Sequence, residues 1–130
     1  MTTRNTLVRT AHDAGLATWF GGSLMGAVGL NGATAQASDS TETLRLSSIG
    51  WGRWAPVNTA AIVVHTVGGL GLIVGNKERL ERQEEAQSNT AVKAALTVAA
   101  IGLTAYSGHL GKQVYEQQDN PTKGATEPAA

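Results

Sequence analysis

Three stretches of the chain, Ala14 to Ser38, Trp54 to Asn76 and Ala94 to Gly111, contain no Asp, Glu, Lys or Arg, and all the charge lies in short zones around them. They are 25, 23 and 18 residues long. A helix needs about 20 residues to cross roughly 30 Å of hydrocarbon. The first two stretches reach that length outright. The third reaches it when Lys93 and Lys112 extend from its ends toward the headgroups. The pattern predicts an all-α fold: a transmembrane bundle of three helices, spanning about 14–36, 54–76 and 93–112. These form one transmembrane helical domain over residues 1–115, and a disordered polar tail follows over 116–130.

Composition agrees with the pattern where the average conceals it. Mean hydropathy is only −0.10, yet charged residues make up 15% of the chain, against roughly 25% in soluble domains. The formal net charge is zero, and a nucleic-acid surface needs a basic excess, so no nucleic-acid partner is expected. The absence of cysteine excludes disulfides, iron–sulfur clusters and thiolate zinc sites. Sixteen glycines would weaken helices in water. In lipid, small residues let helices approach closely.

The connectors carry their own signals. DSTETLRLSSIGWGRW, between the first two runs, reads as a short interfacial segment with Trp51 and Trp54 in the aromatic belt. Pro56 is expected in the first turn of helix 2, where its missing N–H is harmless. KERLERQEEAQSN is expected to continue helix 2 out of the bilayer, supported by Glu78 and Arg82 at i,i+4. Ser88 or Asn89 would then cap helix 3. Counting Lys and Arg puts Arg4, Arg9, Lys77, Arg79, Arg82 and Lys93 on one side and Arg45, Arg53, Lys112 and Lys123 on the other. That bias predicts a multi-pass protein of the cell (plasma) membrane with a cytoplasmic N-terminus, and the lipid bilayer as its surroundings. A cleaved secretory signal is the rival reading of the first run. Ala33-Thr34-Ala35 and Ala35-Gln36-Ala37 offer small-x-small cleavage sites, but the run exceeds the usual core of roughly 7–15 residues.

Helix 1 carries a stripe of small residues at steps of three and four: Ala11, Gly15, Thr18, Gly22, Gly26, Gly29 and Ala33. Gly22-x-x-x-Gly26 lies within it, and Gly71-x-x-x-Gly75 recurs on helix 2. Such faces pack helices within one chain, in a homo-oligomer or in a larger membrane complex. Each proposed helix also has one histidine: His12, His65 and His109. In the three-span arrangement their depths differ by roughly 10–18 Å at 1.5 Å per residue. Ligands of one metal converge to about 2 Å from it, so no metal site and no cofactor is expected. His65 falls at the bilayer centre, where an ionisable residue is a functional candidate. It can instead bond a backbone carbonyl or Thr66 and hold helices together. Met25, Gly26 and Gly102 are expected at its depth. Asn31 and Asn58 are expected level with each other, with a mutual hydrogen bond of roughly 0.6–2 kcal/mol.

No carboxylate falls within any span, so paired-carboxylate catalysis has no residues to use. There is no Gly-x-Ser-x-Gly elbow or Walker loop, and Gly68-Gly69-Leu70-Gly71 lacks the Lys of a phosphate loop. No enzyme and no catalytic residue is expected. The charged run 77–85 reads as a solvated helix face.

The run His12-Asp13-Ala14-Gly15-Leu16-Ala17-Thr18-Trp19-Phe20-Gly21-Gly22 resembles the opening helix of small multi-spanning proteins of the copper-resistance D (CopD) type. With GWGRWAPVN ahead of helix 2, the Ala/Gly-rich style resembles uncharacterised small membrane proteins of high-GC Gram-positive bacteria. The likeness covers about the first third of the chain and implies a multi-spanning helical fold. Copper handling would call on further His or Met ligands, and Met1 and Met25 are the only methionines.

The function expected is a structural or accessory subunit that packs with itself or with a larger membrane complex. A small transporter or channel-like module lined by His65, Thr66, Thr97 and Thr104 is the alternative. A haem or metal carrier using His12 or His65 is the third reading.

Overall fold

The computed structural model describes residues 3–116, and side chains from Asn5 onward. The tail predicted over 116–130 lies outside these residues, apart from Glu116, which ends the last helix. All the elements are helical: α1 (Thr3–Met25), a π-helical turn (Gly26–Leu30), α2 (Asn31–Thr34), α3 (Ser40–Gly75), α4 (Lys77–Arg82) and α5 (Glu84–Glu116). Two of them, α3 and α5, are long and apolar enough to cross a membrane.

Residues 35–39 reverse the chain between α2 and α3. Asp39 sits in extended backbone at the N-cap of α3, and its side chain accepts the Glu42 N–H at 2.8 Å. The Glu42 carboxylate reaches back to Ser38, accepting from its N–H at 3.1 Å and its hydroxyl at 2.6 Å. This reciprocal cap satisfies donors that the first turn of a helix leaves free. The segment expected at the interface is therefore the opening of α3. Leu44, fully enclosed, anchors that opening, and Leu, Arg and Glu are good helix formers. Pro56 accordingly lies inside α3 rather than at its start. It removes the N–H that the Gly52 carbonyl would accept.

The far end differs from expectation in a smaller way. Helix α3 stops at Gly75, α4 is a separate helical piece, and Gln83 in extended backbone breaks the chain before α5. The third long helix thus begins at Glu84, upstream of Ser88 and Asn89. Within α4 the ion pair is Lys77 with Glu81 at 3.9 Å. Both are solvent-exposed, so the pair contributes at most about 1 kcal/mol.

Helices α1 and α3 form an antiparallel hairpin whose register follows from close contacts. Val8 lies against Gly71, His12 against Gly68, Gly15 against Ala61 and His65, Gly22 against Trp54, Gly26 against Trp51 and Leu30 against Gly50. At the turn, the Thr34 and Ser47 hydroxyls share a hydrogen bond at 3.1 Å. The π-helical turn keeps this seam straight. Steps of four residues drift around an α-helix, and the wider π turn cancels the drift, so Leu30 and Thr34 stay on the α3 side. A Cβ at Gly29 would meet only the side chain of Met25 on its own helix. The small stripe predicted through Gly29 thus leaves the seam at that point.

Few large side chains are enclosed, and much of the exterior is apolar. The buried hydrophobic residues are Trp19, Leu44 and Ala61, and the buried polar ones are Thr34 and His65. Large apolar side chains point outward, among them Phe20, Met25, Val28, Val63, Val67, Leu70, Val74, Val98 and Leu103. Helix α5 lies against α3 and has no fully buried residue.

Candidate functional site

The centre of the hairpin is built from the two histidines that the sequence placed at different depths. His12 donates its Nδ1–H to the His65 carbonyl at 2.9 Å, and His65 donates its Nδ1–H to the His12 carbonyl, also at 2.9 Å. The rings stack with centroids 4.1 Å apart and planes tilted by 21°. The predicted separation of His12 and His65 is therefore overturned. It assumed that helix 1 begins at Ala14 and that a loop separates it from helix 2. With α1 starting at Thr3 and the turn at 35–39, His12 comes level with 65–68. His109 stays apart on α5, where its Nε2 lies 3.2 Å from the Gln113 amide.

Two glycines make the clamp possible. A Cβ at Gly15 would lie 2.6 Å from the His65 backbone nitrogen, and one at Gly68 would lie 2.6 Å from the His12 nitrogen. The helices thus touch backbone to backbone on both sides of the ring pair. Gly15 was anticipated from the small stripe. Gly68 was not, although Ala61, His65 and Gly68 at steps of four and three mark one face. Trp19 flanks the pair, its ring centroid 6.0 Å from that of His65, and donates its indole N–H to Thr104 of α5 at 3.2 Å. This bond sets the level at which α5 docks.

The remaining predicted positions separate. Gly22 and Gly26 seat the rings of Trp54 and Trp51, so the two tryptophans assigned to an aromatic belt fill the hairpin seam. Gly71 receives Val8, and Gly75 faces the Asn5 amide. Asn31 and Asn58 do not meet. Asn31 accepts the indole N–H of Trp51 at 2.9 Å, and the Asn58 Oδ1 is enclosed with no hydrogen-bond partner among the described residues. Met25 and Gly26 are far from His65, whose neighbour on α1 is Gly15. One register error explains all three differences.

Carbonyl acceptors fix a proton on both Nδ1 atoms and leave the lone pairs on Nε2. In stacked rings those lone pairs lie in two near-parallel planes, and one ion cannot sit about 2 Å from both nitrogens. The pair links α1 to α3 by two hydrogen bonds. At the opening of α3, the Glu42 carboxyl is held in its charged form by its neighbour Ser38. Hydrogen bonds from the Ser38 hydroxyl and N–H hold its carboxyl below its ordinary 4.5. Comparison with protein-family models, with curated proteins and with solved structures finds no match to this chain.

Proposed function

We propose that this chain is a multi-pass integral membrane protein acting as a structural or accessory subunit. The apolar exterior carries the reading. Valine, leucine and phenylalanine cover the outside while imidazole, indole and hydroxyl groups meet inside, which is stable where hydrocarbon replaces water. The hairpin register supports three spans centred together. Both helices are uncharged over 14–23 and 54–63, and the Trp19–Thr104 bond brings the uncharged run of α5 to the same level. Arg4, Arg9, Lys77, Arg79, Arg82 and Lys93 then gather at one end, which favours a cytoplasmic N-terminus.

The same register favours a partner. Asp13 and Arg53 fall roughly 8 Å to either side of the middle of that belt, at 1.5 Å per residue, and both are exposed. Asp13 is thus the carboxylate that a sequence-based placement of the spans leaves outside. Arg53 can extend to the interface. Asp13 is too short to do so and makes no ion pair among the described residues. An ionisable group facing lipid costs roughly 2.5–3.5 kcal/mol at the bilayer centre and less at this depth, and a polar group on a neighbouring subunit would remove that cost.

Fractionation tests the reading. The protein should stay with membranes through a carbonate wash and leave them only in detergent. Recovery as a monodisperse aqueous species without surfactant would overturn it.

A further inference from the structure

The contacts of α1 with α3 run through Val8, His12, Gly15, Gly22 and Gly26. Turned away from that seam, Arg9, Asp13, Leu16, Phe20 and Leu24 follow one another at steps of four and three and share a second face. Helix α5 packs on α3 and leaves this face open. Leu16, Phe20 and Leu24 are 45%, 67% and 51% exposed, and Arg9 and Asp13 are exposed as well. An apolar helix face thus ends in two opposite charges.

Depth makes the two charges unequal. Asp13 lies roughly 8 Å from the middle of the uncharged belt, and Arg9 lies one turn, about 6 Å, nearer the surface. The guanidinium can move along the bilayer on its long stem, whereas the short carboxylate side chain cannot. Within one chain the two stand in the less favourable i,i+4 order, cation before anion. Neither forms an ion pair among the described residues. The face is therefore self-complementary, its cation and its anion offset by one turn.

We propose that a second copy of the chain covers this face, in a parallel dimer whose two-fold axis lies along the membrane normal, with Arg9 of each copy paired to Asp13 of the other. The inference rests on the membrane reading above and names the neighbour that meets Asp13. Such an axis keeps every residue at its own depth and brings the same face of both copies together. Each Arg9 climbs one turn to reach the opposite Asp13, and the pairing occurs twice. Away from water the attraction is weakly screened. Leu16, Phe20 and Leu24 continue the contact, which runs about 22 Å from Arg9 to Leu24, by the side-chain packing that associates helices in lipid. The same depths exclude an inverted copy, which would bring Asp13 level with Leu24 rather than with a cation.

The test uses the purified full chain in mild detergent and in liposomes. Wild type should have the mass of a dimer by light scattering corrected for bound detergent. Arg9→Glu leaves two anions on the face and Asp13→Arg leaves two cations, so each variant alone should self-associate at least tenfold more weakly. Mixed under different affinity tags, the two variants should pair with each other at least tenfold better than either does with itself, a gain that misfolding cannot produce. The chain has no cysteine, so Phe20→Cys should cross-link two copies in membranes on oxidation. Val67→Cys, which lies with Leu7 and Ala11 on the other flank of the hairpin, should not. A wild-type mass other than a dimer's, a single charge variant that associates like wild type, a mixture that pairs no better than its components, or cross-linking at Val67→Cys equal to that at Phe20→Cys overturns the dimer. Vesicle flotation separates the two ideas. Protein that fails to float with lipid refutes the membrane reading, and protein that floats as a monomer refutes the dimer alone.

Discussion

His12 and His65 each give a ring proton to the other's main chain, so neither side chain is replaceable without loosening the opposite helix. His65→Leu removes one of the two bonds and should lower hairpin stability by about 1 kcal/mol, measured by denaturant titration in detergent, while the helices stay associated. The glycines divide more sharply. Gly15→Ala and Gly68→Ala place a methyl group against backbone that cannot move aside, and each should cost about 1–3 kcal/mol. Gly21→Ala and Gly32→Ala meet open space and should be neutral or stabilising by up to about 1 kcal/mol, since Ala is the better helix former. Equal effects at all four sites would refute the backbone contacts. At this scale the sequence was informative about kind and silent about partner. A histidine within an uncharged run is visibly a polar group in need of a bond. Which group supplies that bond depends on a residue 53 positions away in sequence.

The elements owe their arrangement to residues 35–39. Asp39-x-x-Glu42 is a helix-start signal written in the sequence, and it makes the segment expected at the interface the opening of α3. Because Ser38 holds the Glu42 carboxyl below its ordinary value, the cap has a predictable pH dependence. A depressed folded-state value means that the stabilising contribution is present above the unfolded value. It is lost as pH falls through the folded one. Amide exchange in the first turn of α3 should therefore quicken as pH falls below the ordinary carboxylate range, and Glu42→Gln should abolish that dependence. The register is testable directly, since the chain has no cysteine. A Thr34→Cys/Ser47→Cys pair, at positions whose hydroxyls are 3.1 Å apart, should oxidise to an intramolecular disulfide. An Asn31→Cys/Asn58→Cys pair should not, and the reverse outcome would restore the register inferred from depth matching.

For the molecule as a whole, the outward apolar surface and the lightly held α5 are the features on which the proposed association with a neighbouring subunit rests. Asp13→Leu should shrink the native assembly in mild detergent, read by light scattering, while leaving the helix content unchanged. An assembly of unchanged mass would argue that lipid alone surrounds this face. The helical class and its long apolar segments were legible from charge distribution, because the cost of placing a charge in hydrocarbon acts on each residue separately. Stretches without charge therefore mark themselves locally, without reference to the fold. What only the tertiary structure decided is which residues share a level. Register is set by where the turn falls and by which glycines let two backbones touch, and a displaced turn exchanges every partner along both helices at once.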